Sequence, residues 1–392
     1  MNRIAIASLM VLVGTSAASA QFYANGVVNP VVARIGNGAA ITSGAALPIQ
    51  LQGYLSGVGG QGVPASLTDF GSGVSGTNRV TLSGSATSEG MLTNSIDNSY
   101  VVLAGYNAAS GTASVNGATA NADRVIGYGA VGIGGLTNPT GVTSTIGTQA
   151  AAYNGNNIRS AVSRGGVGSD AWSGGTASTA SLGGVRYANT NTQTSATVTN
   201  VRSVDAYGNN LYASASSGAF LGVNAYQGGG LPTTSGNTII NLINTGAGSS
   251  AYEFAFTNTG NSLVGGANVL DPVSGYRICY VADDRTSASG GIQRWEYNGS
   301  AWALQYTLQL GAGLGARGLA GCFDGTSNIL YATNATGTGL YQITDTGASA
   351  TATLLASAGT NNVFRGVALA VPTPGAAALV GLGTLMIGRR RR

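Results

Sequence analysis

Histidine and lysine are absent from the 392-residue sequence, cysteine occurs twice, and only 8% of the chain is charged. Without an imidazole, neither a Ser-His-Asp nor a Cys-His arrangement can form, and most zinc sites lose a customary ligand. The 13 acids stand singly except for Asp283-Asp284, so a carboxylate pair for glycoside hydrolysis would have to be assembled by the fold. Cys279 and Cys322 are the only cysteines. In an exported chain oxidation is permitted, and a disulfide or two buried thiols both remain open, because sequence does not give the Cα separation. The glycine-rich stretches GVGGQG and GAGLGARG lack the strand-to-helix context and the following Lys of a phosphate loop, so they read as turns and no cofactor is implied.

What is present is 64 glycines in a background of Ala, Ser, Thr and Asn, with 43% hydrophobic residues. That mixture favours tight turns and thin strands over long helices, and it suffices for a real core. Regularly placed Tyr, Val, Ile and Leu set it apart from a disordered Gly/Ser tract. The formal charge of +4 resides at the ends: Arg3 and Arg389 to Arg392 are five of the 17 basic residues, and without them 12 arginines face 13 acids. A body so close to neutral offers no phosphate-tracking surface, which argues against nucleic acid as a partner.

The body is organised by repetition. Residues 315–347 contain ARGLAGCF, ILYAT and GLYQIT, separated by turn residues, and FRGVALAV at Phe364 looks like the start of the same unit again. Similar triplets begin near Asn157, Asn200 and Ala251. Each has a first strand led by a lone charge and a third strand begun by glycine, with a second strand often carrying an aromatic (Trp172, Tyr212, Tyr280, Tyr331). One antiparallel sheet repeated in this way is the blade of a β-propeller. Aligned first strands place Glu89, Arg159, Arg202, Glu253, Arg317 and Arg365 in one slot, at intervals of 70, 43, 51, 64 and 48 residues. The expected fold is therefore all-β, a propeller of six blades with seven as the alternative. It would be closed by pairing of the C-terminal strand with N-terminal strands. In such a ring each Glu of the slot falls between arginines near the axis. An interblade ion-pair belt would fix blade order, and the surplus of two positive charges could hold an anion such as a sugar acid at the channel mouth.

Met1 to Ala20 has a positive start, an apolar core from Ile4 to Val13, and small residues at Ala18 and Ala20, the pattern of a secretory signal peptide cut by signal peptidase before Gln21. The domain organisation is then a signal peptide at 1–20, a propeller at 21–370 and a sorting segment at 371–392. In that last segment Pro372 and Pro374 precede an apolar run, Gly375 to Gly388, and the chain finishes with Arg389, Arg390, Arg391 and Arg392. The run spans about 21 Å as a helix against a hydrocarbon core of roughly 30 Å, so it serves as a marginal, transient anchor. The arginines would stay on the cytoplasmic side. The tripartite tail resembles the PEP-CTERM sorting signal of exported bacterial proteins, with Pro372-Thr373-Pro374 in the place of Pro-Glu-Pro. The resemblance implies an exosortase-like enzyme as a partner and delivery to the bacterial cell envelope, surface or extracellular matrix. The motifs YVADDR, GGIQRW, ARGL and FRGVALA make the body similar to exported bacterial proteins that combine a propeller-like repeat with this kind of tail. That likeness implies no particular reaction.

Two smaller features complete the reading. Asp283, Asp284 and Arg285 follow the strand YRICYVA at a turn that either offers carboxylate oxygens to calcium or holds a salt-bridged arginine without metal. Seventeen tyrosines supply either core or sugar-stacking platforms. The expected role is a non-enzymatic structural or binding module, with extracellular polysaccharide as the partner. Its alternatives are a propeller-type polysaccharide lyase or hydrolase and an adhesin that self-associates through strand edges.

Overall fold

A computed structural model describes residues 28–70, 79–132, 135–138, 141–148, 150–257 and 269–371. The signal peptide expected at 1–20 and the sorting motif with Pro372, Pro374 and Arg389 to Arg392 lie outside the described residues. No helix among the described residues is long and apolar enough to cross a membrane. The only helices among them are two 3-10 turns, Ala180–Leu182 and Gly218–Phe220.

Four separate four-stranded antiparallel sheets follow one another in a propeller-like arrangement. Their first strands are Ile158–Ser163, Val204–Tyr207, Ala251–Thr257 and Leu319–Phe323. The expected repeat unit is present in the last of them as Leu319–Phe323, Asn328–Thr333 and Gly339–Thr344, with Ala352–Ser357 as its outer strand. Glycine starts every third strand, at Gly184, Gly222, Gly291 and Gly339. Two of these explain the preference. Gly222 and Gly291 have φ of 103° and 126°, and a Cβ on them would overlap the fourth-strand carbonyl oxygens of Ile243 and Leu308. Only a residue without Cβ lets the outer strand approach so closely.

The second-strand aromatics form the layers between sheets. Trp172 packs with Val204 and Leu211 of the following sheet, Tyr212 with Phe254 and Val281, Tyr280 with Leu319 and Leu330, and Tyr331 with Val32 and Phe364. Each is at most 1% exposed, so each contributes roughly 1.5–3 kcal/mol of apolar burial to the joint between two sheets.

The two ends of the described chain meet in a ten-stranded sheet. Val363–Ala370 pairs antiparallel with Asn29–Ile35, Ala370 opposite Asn29 and Phe364 opposite Arg34. The expected pairing of the last strand with the first is thus observed. From Asn29–Ile35 the ladder continues to Ala46–Gly53 and Ser66–Asp69. A second run within the same sheet passes from Thr93–Asn94 through Tyr100–Asn107 and Asp123–Gly132 to Val142–Gly147. The short strand Thr81–Ser83 pairs with both runs and joins them. At the tip of the second run the expected reversal at Asp97-Asn98-Ser99 is made by Asn98 at φ 58°, a left-handed conformation that asparagine tolerates.

The cysteines are two free, buried thiols, so the disulfide alternative is not realised. Cys279 lies with Tyr212 and Phe254 in one inter-sheet layer, and Cys322 with Tyr331 and Phe364 in another. Burial raises the Cys279 thiol well above its ordinary value and pushes Cys322 up to about 12. Iodoacetamide should therefore leave the folded protein unlabelled. In denaturant without reductant it should add two labels by mass, and no labelling there would restore the bridge.

Candidate functional site

All six slot residues come to the leading ends of the strands that line the middle of the assembly. Glu89, Arg159, Glu253, Arg317 and Arg365 are buried and Arg202 is half-buried. Tyr252, at the start of Ala251–Thr257, is their centre. The guanidinium carbons of Arg202 and Arg317 each lie 5.1 Å from its ring centroid, within cation–π range. Arg159 and Arg365 are each pulled down to about 10, mainly by burial and then by the neighbouring charges of Arg202 and Arg317 respectively. Arg159 and Arg365 thus stay cationic at neutral pH.

The expected belt of ion pairs among these residues is not formed. Glu253 instead accepts three backbone N–H groups from three other strand segments, Leu92 at 2.6 Å, Leu319 at 2.6 Å and Val367 at 3.1 Å. Burial raises its carboxyl well above the usual range, and the three donors oppose that rise. Glu89 accepts the Ser83 N–H at 2.8 Å, the Tyr106 hydroxyl at 2.5 Å and the Asn157 amide at 2.5 Å. Arg159 donates to Asn200 and the Val201 carbonyl, and Arg202 donates to Ser216. The reason is that inner strands meeting around an axis leave backbone N–H groups with no ladder partner, and a buried orphan of that kind is costly. Carboxylates satisfy them first. Arg159 and Arg202 are then left to polar side chains and a carbonyl, and the Nε atoms of Arg159 and Arg365 have no partner among the described residues.

Asp283 and Asp284 are each taken by an arginine, as in the salt-bridged alternative for this turn. Arg285 reaches Asp283 at 2.6 Å, and Asp283 also accepts from Gln293 at 3.0 Å. Arg317 takes Asp284 at 2.7 Å. Each carboxylate thus has its own arginine, and among the described residues no group of three or more His, Cys, Asp or Glu could hold a metal ion. Within the slot, the Arg317–Asp284 contact is the one direct ion pair among the described residues.

A cavity of about 340 Å³ lies at the other ends of the inner strands, where Asn94, Asp205, Tyr207, Phe256, Tyr276 and Cys322 are among its walls. Asp205 is half-buried and accepts the Ala206 N–H at 2.8 Å. Burial pushes its carboxyl up to about 7. No arginine pairs with it among the described residues. Three rings stand beside it: Tyr207 is 5.3 Å from Phe256 and 5.9 Å from Tyr276 between centroids, and Phe256 is 5.4 Å from Tyr276. The Tyr207 hydroxyl donates to the Phe254 carbonyl at 3.1 Å. Sequence reading missed this site, although a signal existed. Of the strands that line the middle, only Val204–Tyr207 and Ala251–Thr257 contain an acid, and the acid of the first is Asp205.

Together the fold and its two axial ends define a propeller-like all-β protein. No protein-family model matches the sequence, and no curated protein matches it either.

Proposed function

We propose that this chain is a closed six-bladed propeller exported to the bacterial cell envelope or extracellular matrix, where it acts as a non-enzymatic binding module. Its axial arginines would hold an anionic group, the carboxylate of an acidic polysaccharide. The two four-strand runs inside the ten-stranded sheet would supply the remaining two blades. The sequence of contacts around the middle supports closure: Met91 N–H to the Arg159 carbonyl at 3.1 Å, Val204 N–H to Ser160 Oγ at 2.9 Å, and Tyr207 to Phe254. The circle continues through Glu253 N–H to the Arg317 carbonyl at 3.4 Å, Thr333 Oγ1 to the Arg365 carbonyl at 2.6 Å and Gly366 N–H to the Gly90 carbonyl at 2.9 Å. Export rests on the signal-peptide pattern at 1–20 and the PEP-CTERM-like tail, with signal peptidase and an exosortase-like enzyme as processing partners.

The observation that carries the binding reading is four guanidinium groups gathered about Tyr252 with Asp284 as their one direct acidic partner among the described residues. A partly dehydrated cluster of like charge is an anion site in waiting. Arg202 is its most accessible member. Titration calorimetry with a polygalacturonate oligomer should therefore show binding that falls at least tenfold in Arg202→Gln and further in Arg202→Gln/Arg317→Gln, while circular dichroism is unchanged. Wild-type affinity in the folded double variant would remove the reading.

A further inference from the structure

The cavity at the opposite end of the inner strands from the arginines uses none of their side chains, and its chemistry has the opposite sign. We propose that it is a binding site for a small organic ammonium ion, a protonated primary amine carried on a polar scaffold the size of one amino sugar.

The first argument is charge. Asp205 takes the N–H of Ala206 and a hydrogen bond from the Tyr207 hydroxyl, both neutral donors, and it has no arginine partner among the described residues. The titratable groups facing it supply no cation. Glu253 is a second acid that repels it, Tyr207 and Tyr276 are neutral phenols held above their ordinary values, and Cys322 is a neutral thiol. An anionic ligand would be repelled, and an uncharged one would leave the carboxylate uncompensated in a poorly solvated place. A ligand with one positive charge removes that deficit.

The second argument is shape and surface. A volume of about 340 Å³ accommodates a single ring and lies at the small end of the ~300–1,000 Å³ range of ligand sites. The negative faces of aromatic rings attract cations, and Tyr207, Phe256 and Tyr276 are packed beside the carboxylate. Thr257, 6% exposed, also lines the cavity, and its hydroxyl has no hydrogen-bond partner among the described residues. A buried hydroxyl without a partner is unusual and fits an N–H or O–H donor brought by the ligand. Exposed Gly208 and Asn209 sit among the lining residues and provide the way in.

Saturation-transfer NMR and calorimetry on the full-length chain at pH 7.5 test this with glucosamine as the probe and N-acetylglucosamine as its uncharged counterpart. Glucosamine should bind at least tenfold more tightly than N-acetylglucosamine. Its affinity should fall at least tenfold in Asp205→Asn, weaken as the pH drops from 7.5 to 5.5, and stay unchanged in Arg202→Gln. The acetylated sugar needs no variant, so the comparison survives even if Asp205→Asn fails to fold. Equal binding of the two sugars, no binding of glucosamine, or wild-type affinity in a folded Asp205→Asn would each overturn the proposal.

Discussion

Glu253→Ala is expected to lower the unfolding free energy by about 4 kcal/mol. The carboxylate gathers N–H groups of Leu92, Leu319 and Val367, each in a different strand segment from its own. Removing it strands three buried donors together, and each such orphan costs ~1–3 kcal/mol. Gly366 packs tightly against this group: a Cβ there would overlap both Leu92 N and Glu253 Oε1. Glu253→Gln should be intermediate: its oxygen still accepts, while its NH₂ faces a donor. Urea unfolding curves measure both. A loss under about 1 kcal/mol for the alanine variant would mean that the three segments are held by something else.

Asp205→Asn should do the reverse and stabilise the protein, in a manner set by pH. In the folded chain the Asp205 carboxyl is raised from 3.8 to about 7, so the folded state keeps a proton that the unfolded state releases earlier. Stability from this group is therefore greatest below about pH 4, falls as the pH rises toward 7, and is flat above that. Taken whole, the shift corresponds to about 4 kcal/mol, and water entering the half-open cavity reduces this to about 2 kcal/mol. The asparagine variant should match wild type near pH 4 and exceed it by that amount at pH 8. A difference between the two proteins that does not change with pH would show that the carboxylate ionises normally.

The positions of the slot residues were legible because several local signals coincide. A lone charge, then an aromatic at second-strand distance, then a glycine whose Cβ would strike the outer strand recur at Arg202, Tyr212 and Gly222. What those charges touch was not legible. Backbone N–H groups are present at every residue, so sequence cannot say that Glu253 will prefer three of them to the arginines on either side. Arg124 shows the same blindness: fully buried, it donates to the carbonyls of Ala122, Asn116, Tyr153 and Asn156, none of which any side-chain pattern could reveal. The N-terminal third was hardest to divide, because Thr81–Ser83 fuses two runs of strands into one sheet. Asp205 escaped notice for a simpler reason. It lies three residues after the charge that defined the alignment, and what sets it apart, the lack of an arginine partner among the described residues, is a matter of tertiary contacts.

The pairing of Asn29–Ile35 with Val363–Ala370 also dictates when folding can finish. The earliest strand has to wait for the latest, so a ribosome reading from the amino terminus releases almost the entire polypeptide before that sheet can be completed. Contacts spanning so much of the chain are slow to find. The four separate sheets between Ile158 and Ser357 need neither of these strands, so the pairing of the two is the step left for last.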